Sequence, residues 1–206
     1  MFQANCPTTP RLSGDQRRLD IVDAVLEMAA KVSPAMISTS DIARAVGVSQ
    51  GAVFKHFACK DDIWLAVAEA IAERLMAVVE RAVAPARTPW QALRDVFMAH
   101  VRFVATHPGV PPFICHELQQ AAATPVKQRI QGLMSTYRQR LIALLDQLER
   151  AGELADEVDK DAAVSLFLGS VQGLVMQSML VCPGAGVWAQ AEVVTTIFER
   201  GIRRKS

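Results

Sequence analysis

Residues 41–57 read DIARAVGVSQGAVFKHF and contain two short helical patterns that meet at one glycine. In each pattern apolar residues recur at helical spacing, with Ile42 in the first and Phe57 in the second placed to face inward. Gly47 lies at the junction, where a residue without a Cβ atom can adopt a positive φ at little steric cost. Ser49 follows as an N-cap for the second helix. The stretch therefore predicts a helix-turn-helix.

The outward face of the second predicted helix is polar, which suits a helix that enters the major groove of a DNA duplex. Gln50 can pair with adenine through both of its amide atoms, and Lys55 can donate to guanine or to phosphate. Hydroxyl groups ahead of the first helix lie at a helix N-terminus, a position that favours phosphate. The expected DNA-binding residues are Ser38, Thr39, Ser40, Arg44, Ser49, Gln50, Gly51, Ala52, Phe54, Lys55, His56 and Lys60.

A helical hairpin buried in an ordinary core is the structural alternative, and a lone glycine at the turn would favour it. The full ordered set of residues favours the DNA-binding motif instead. In particular, Gly51 costs about 1 kcal/mol inside a helix, which makes most sense where a partner needs the space.

The composition indicates a folded chain that is close to electrically neutral. Of its 206 residues, 51% are hydrophobic and 21% are charged, and the formal net charge is +1. These values exclude a disordered chain and a generally basic surface, so any DNA contact must come from a local patch. No apolar run reaches about 18 residues, the start has no signal-peptide core, and the four cysteines are scattered. We expect a cytoplasmic protein with no membrane partner, no metal site and no cofactor.

Nearly all of the remaining sequence has helical periodicity, which predicts an all-α protein of about nine helices. Threonine-proline pairs at 88–89 and 124–125 are helix start signals. A proline-rich connection is expected to precede a short helix near 113–122. The predicted organisation is a flexible N-terminal arm over 1–14, a helix-turn-helix DNA-binding domain over 15–60 and a helical domain over 61–206.

From Arg17 to about Leu65 the sequence closely resembles the TetR family of bacterial transcriptional regulators. RRLDIVDAVLEMAA is similar to the first helix of that family, TSDIARAVGVSQGAVFKHF to its helix-turn-helix, and CKDDIW to the start of its fourth helix. Over the rest of the chain the helices resemble the family only in number and length. The resemblance implies a homodimer with an N-terminal DNA-binding head and a C-terminal body, the domain over 61–206, that serves effector binding and dimerisation. It also implies that an effector shifts the fourth helix and thereby weakens DNA binding.

Three places depart from the family pattern. Ser33 and Pro34 stand where a glycine usually follows the first helix. Phe54 occupies a position that is often tyrosine, so the hydroxyl contact of that tyrosine to phosphate is lost. Thr39 occupies a position that is usually apolar.

The last two long helices are expected to form the dimer interface. AAVSLFLGSVQGLVMQSML is apolar nearly all round, more so than a surface helix should be. Gly169 and Gly173 are four positions apart and could let a partner helix approach closely, while Val193, Ile197 and Phe198 offer apolar contacts from the last helix. Burial of both helices within one subunit is the alternative interpretation.

Aromatic residues, methionines and a few polar side chains lie between the head and the dimer helices. This mixture suits an apolar effector pocket, and it suits an ordinary core equally well. The candidate effector-binding residues are Phe97, His100, Phe113, Met134, Tyr137, Gln172 and Met176, the last two expected to face the aromatic residues. Glu117 is expected either to orient a polar group or to be solvated.

The family resemblance implies a repressor that binds a palindromic operator as a dimer and is released by an effector, which the apolar candidate residues suggest is small and largely apolar. One alternative is a helical small-molecule-binding protein whose head no longer binds DNA. Another is an enzyme that uses Cys115 and His116, with His100 and His107, as a nucleophile or a metal site. Neighbouring residues on a helix point about 100° apart, which argues against a Cys115–His116 pair.

Overall fold

The computed structural model describes residues 14–181 and 187–204. These residues form nine α-helices and one short 3₁₀ turn, which confirms the predicted all-α class. The helices are α1 (Gly14–Ala29), α2 (Thr39–Val46), α3 (Gln50–Val53), α4 (Lys60–Val83), α5 (Pro89–Thr106), α6 (Val110–Gln119), α7 (Pro125–Arg150), α8 (Lys160–Val181) and α9 (Val187–Ile202), with the 3₁₀ turn at Pro34–Met36. The predicted N-terminal arm lies outside the described residues, except that Gly14 begins α1.

Local capping signals set the starts of α5 and α7. The hydroxyl oxygens of Thr88 and Thr124 each accept a hydrogen bond from the backbone N–H three residues later, and a proline follows each threonine in the first turn. Both predicted start signals are thereby confirmed.

The start of α6 differs from the prediction by three residues. The helix spans Val110–Gln119, whereas the prolines were expected to delay it to about residue 113. Pro111 and Pro112 instead occupy its first turn, where a backbone N–H has no intrahelical partner and proline loses nothing.

The core is continuous from the head to the body. In the head, α1, α2 and α3 bury Ile21, Val25, Ile42 and Val53 between them. In the body, α5, α7, α8 and α9 enclose a larger set of fully or nearly fully buried side chains: Phe97, Tyr137, Leu141, Leu144, Phe167 and Phe198. The helix α4 packs against α1 on one side and against α5 and α7 on the other, so it belongs to both parts.

A second contact between head and body lies where the α5–α6 connection meets the end of α1. A Cβ atom added to Gly109 would lie 2.7 Å from the carbonyl carbon of Leu26, inside the distance that real Cβ atoms keep. Glycine is therefore required at this position by space, since its φ of −81° is ordinary. Nearby, the Arg74 guanidinium of α4 donates to the Asp23 carboxylate of α1 at 2.6 Å.

Replacing Gly109 with alanine should lower the free energy of unfolding by about 1–3 kcal/mol, because backbone must move to admit the methyl group. Thermal or urea unfolding of the full chain measures this change. Gly132→Ala is the matched control, since Gly132 lies inside α7 with nothing within 4 Å of its Cβ position. The control should be neutral or stabilising by up to about 1 kcal/mol. Equal midpoints for Gly109→Ala and the unmodified chain would contradict the contact.

Candidate nucleic-acid interface

The first helix of the helix-turn-helix, α2, begins with a capping box. Ser38 Oγ accepts from the Asp41 backbone N–H at 3.2 Å, and the Ser38 N–H donates to the Asp41 carboxylate at 3.2 Å. The hydroxyl and the backbone N–H of Ser38, which both donate to the Asp41 carboxylate, hold the pKa of Asp41 below its usual range. The Ser38 hydroxyl donates to Asp41 Oδ2 at 2.5 Å, so this expected phosphate donor is already engaged within the chain.

The turn between α2 and α3 has the geometry that its residues predict. Gly47 has φ 73° and ψ 34°, the left-handed conformation that favours glycine. The Val48 N–H then donates to the Ala43 carbonyl at 2.9 Å, and Ser49 Oγ accepts from the Ala52 N–H at 3.2 Å. The predicted turn and N-cap are both present.

The second helix, α3, is only one turn long and is continued by a hydrogen-bonded turn to His56. Val53 and Phe57 are buried, which anchors this segment to the head. Its outward side chains are exposed or partly exposed, as predicted: Gln50, Gly51, Ala52, Phe54, Lys55 and His56. Of the remaining candidates, Ser40, Arg44 and Ser49 are exposed, while Thr39 and Lys60 are partly buried.

Arg18 of α1 holds the end of this segment in place. Its guanidinium donates to the His56 carbonyl oxygen and lies 4.1 Å from the centre of the Phe57 ring. Sequence reasoning missed Arg18 as a support of α3, because its partners lie about forty positions away and no local pattern connects them.

Lys60 and Gln50 are each held by a neighbouring side chain. The Lys60 ammonium lies 4.5 Å from the centre of the Trp64 ring, a cation–π contact in the first turn of α4. The Gln50 amide Nε2 donates to the Thr39 hydroxyl oxygen at 2.7 Å, which joins the starts of α3 and α2. The two side chains are thus partly ordered before any partner arrives.

The candidate effector residues divide into two sets. Phe97, Phe113 and Tyr137 are fully buried, and the Tyr137 hydroxyl lies 3.2 Å from His100 Nδ1. Both Gln172 and Met176 are exposed, and Met176 retains 50% of its accessible surface in the single chain. The expectation that these two face the aromatic residues is therefore wrong. The sequence of an almost uniformly apolar helix does not show which face points inward. In α8 the buried face contains Phe167, Leu168 and Val171.

The other members of the buried set pack against rings from different helices. Phe97 meets Phe167 edge to face at 5.2 Å between ring centres. Phe113 lies 6.1 Å from Trp64, at the junction with α4 rather than beside Tyr137 in a single ring cluster, and Met134 is partly buried.

The candidate dimer residues also divide. Val193 and Ile197 are 59% and 64% exposed, and nothing lies within 4 Å of a Cβ position on Gly169 or Gly173. Phe198, in contrast, is buried and packs edge to face on Phe167 at 5.5 Å, so its assignment to the dimer surface is wrong. It lies on the inner face of α9, whereas Val193 and Ile197 lie on the outer face. A groove of about 510 Å³ separates the outer faces of α8 and α9.

The residues proposed for the rival enzyme are dispersed. Cys115 is exposed, His100 contacts Tyr137, and the His107 ring stacks on Phe103 at 4.6 Å. His116 Nε2 lies 3.9 Å from the Glu117 carboxylate. Within the described residues no three histidine, cysteine, aspartate or glutamate side chains are grouped to hold a metal. Over residues 14–181 and 187–204, no helix has the length and apolar character that crossing a bilayer requires.

Glu117 is a buried carboxyl group that sequence reasoning left undecided. It is only 4% exposed, so the solvated interpretation is wrong, and burial raises its pKa. It borders a cleft of about 370 Å³ between the starts of α4 and α7, beside Lys60 and Trp64.

The partly buried imidazole of His100 should make stability depend on pH. Desolvation lowers its pKa to about 4, from an ordinary value of 6.5. Between these values the unfolded chain binds more protons, so the free energy of unfolding should fall as pH drops from 6.5 to 4, by up to about 3 kcal/mol. Urea unfolding across this range measures the slope. His100→Gln should flatten it and His107→Gln should retain it; equal slopes in both variants would contradict this origin.

Part of this sequence matches the model of a known protein family. Residues 21–67, from α1 into α4, match the model of the tetR family of bacterial regulatory proteins. Over 158 residues, 76% of this chain and 81% of its relative, the sequence is 25% identical to the nucleoid occlusion factor SlmA of Vibrio cholerae. It is 23% identical over 184 residues to the probable acrEF/envCD operon repressor of Escherichia coli, covering 84% of this chain and 81% of that protein.

A solved structure extends the likeness in fold to the whole body. The transcriptional regulator FadR from Bacillus subtilis, in complex with stearoyl-CoA, superposes with a TM-score of 0.79 and 21% identity. The match covers 89% of this chain and 98% of FadR. The helix-turn-helix region of this chain therefore matches the tetR family of bacterial regulatory proteins, and the described helices beyond it share the fold of the solved structure.

Proposed function

We propose that this chain is a ligand-responsive repressor that binds a palindromic operator as a homodimer in the cytoplasm. The single observation that carries the proposal is the exposed outer face of the helix-turn-helix, where Gln50 begins α3, Lys55 lies in the turn that continues it, and Gly47 sets the turn before it. These are side chains that hydrogen-bond to base edges and phosphates, and neither of them is buried in the core. The comparison with an operon repressor supports the same role.

The dimer is proposed from two apolar faces that remain exposed among residues 14–181 and 187–204. On α8 an exposed or partly exposed stripe recurs at spacings of three and four: Leu166, Gly169, Gly173 and Met176. On α9 the exposed stripe contains Val193 and Ile197. Packing these faces against their symmetry mates would form a four-helix interface and place two heads on one operator. Because one short helix contacts only a few base pairs, the second head supplies the missing specificity.

The effector is proposed to be largely apolar with one uncharged polar group. The Tyr137 hydroxyl and the His100 imidazole form a hydrogen-bonded pair among buried apolar side chains. Burial raises the pKa of Tyr137 and lowers that of His100, so both groups are neutral near pH 7. A neutral pair suits a ligand hydroxyl or carbonyl better than a carboxylate, whose charge would be left without a counter-ion. The rings pack closely, so the ligand-bound conformation must be a more open one.

Coupling between effector and operator is proposed to run through α4 and through the contact of Gly109 with α1. A body that opens around a ligand must displace α5 or α7, both of which pack on α4. Because α4 also packs on α1, the orientation of the head changes with it. A coupling free energy of about 1–3 kcal/mol would weaken operator binding by roughly 5–150-fold.

Binding of the purified full chain to duplex DNA selected from a random pool tests the proposal. Lys60→Ala should weaken binding to every duplex by the same factor. It should also reduce the salt dependence of the affinity by about one phosphate contact. Gln50→Ala should instead relax preference at one position in each half-site, at a cost of about 1–3 kcal/mol. Arg150→Ala, an exposed charge at the far end of α7, is the matched control and should change neither. A folded chain that selects no duplex even in dilute salt would refute DNA binding and leave the small-molecule-binding alternative.

A further inference from the structure

The hydrogen bond between Gln50 and Thr39 links two residues with different expected partners on DNA. Gln50 stands at the start of α3, where it is proposed to face base edges, and Thr39 stands at the start of α2, which is proposed to lie close to the phosphates. The bond joins Gln50 Nε2 to Thr39 Oγ1 at 2.7 Å, across eleven positions of the chain. Gln50 is exposed and Thr39 is partly buried, so the pair lies at the proposed DNA surface.

This bond fixes which atoms of the amide remain for a base. A glutamine amide has two N–H donors on nitrogen and an acceptor on oxygen. With one N–H donated to Thr39, Gln50 keeps a single N–H and its carbonyl oxygen. The Thr39 oxygen accepts this bond, which leaves the proton of its own hydroxyl to donate to a phosphate.

The remaining pair of groups matches one purine and not the other. In the major groove adenine presents an acceptor at N7 and a donor at N6, which pair with one N–H and one carbonyl oxygen. Guanine presents acceptors at both N7 and O6. Against guanine, Gln50 would have only one N–H to offer, and its carbonyl oxygen would face O6, oxygen against oxygen.

We propose that Thr39 is a positioning residue that makes Gln50 select adenine over guanine in each half-site of the operator. The inference rests on the proposed DNA-binding function and adds a specificity determinant to it. The hydroxyl of Thr39 is the essential group, since a side chain of the same shape without it leaves the amide free to turn and offer both N–H groups to guanine. As the bond lies at the surface, its effect falls on the orientation of the amide rather than on the stability of the fold.

Two substitutions separate the hydroxyl from the shape of the side chain. Thr39→Val is nearly isosteric and removes the hydroxyl, whereas Thr39→Ser keeps it. Thr39→Ala lacks the hydroxyl in a smaller side chain and provides a second test should valine disturb the start of α2. Thermal unfolding midpoints of all three, compared with the unmodified chain, show that the head remains folded.

The experiment uses the full chain and the duplex that it selects from a random pool. The position whose preference disappears in Gln50→Ala identifies the base pair that Gln50 contacts. Affinities are then measured for two duplexes that differ only there, with adenine or guanine in both half-sites. The unmodified chain and Thr39→Ser should prefer adenine by on the order of tenfold or more. Thr39→Val and Thr39→Ala should prefer it by less than about threefold, whatever their overall affinity.

The readout separates positioning from general support, because a purely structural role would weaken both duplexes equally and leave their ratio unchanged. An unchanged ratio in Thr39→Val and Thr39→Ala overturns the inference while DNA binding stands. So does a preference for guanine at the Gln50-dependent position, which would mean that the amide has the opposite orientation and accepts from Thr39. A chain that selects no duplex would remove the proposed function and this inference with it.

Discussion

The continuous apolar face of α4 is the constraint on which the rest of the structure depends. Every fourth residue from Ile63 to Val79 is buried, so one rigid helix lies in the core of the head at its start and in the core of the body at its end. The two parts cannot move independently, because any shift of α4 in the body displaces the surface on which α1 packs. The close approach of Gly109 to Leu26 joins the head and the body at a second place.

The helix α3, with the turn that continues it to His56, is the least stable element by itself and the most dependent on its surroundings. A helix of one turn has no stability in water, since the cost of nucleation exceeds what a few hydrogen bonds return. Its position is set instead by Val53 and Phe57 in the core, by Arg18 at its end and by Thr39 at its start. A small polar surface with fixed side chains results, and ordering them in advance reduces the entropy lost on binding.

The sequence predicted what is determined locally. Gly47, Ser49, Thr88 and Thr124 act within four residues of their own positions, so the turn, the caps and the helix starts followed from them. The start of α6 was placed too late because proline stops a helix interior but is well tolerated in a first turn.

Features that depend on packing between distant residues could not be predicted in this way. The apolar faces of α8 and α9 do not distinguish core from interface, so Phe198 was assigned to the wrong surface and Met176 to the wrong side. The bonds of Arg18 with the end of α3 and of Gln50 with Thr39 join separate elements, and only the fold brings them together. Likewise, the burial of Glu117 follows from the approach of α6 to α4.

In the proposed homodimer, the apolar faces of α8 and α9 join two subunits so that their two heads bind one face of a duplex. A hydroxyl-radical footprint of the full chain on its selected operator tests this claim most directly. The account predicts two protected segments related by symmetry and centred about 10 base pairs apart, or a multiple of that spacing. Both segments should disappear together in Ile197→Asp, which places a charge in the proposed interface. A single protected segment, or a footprint that Ile197→Asp leaves unchanged, would contradict the claim.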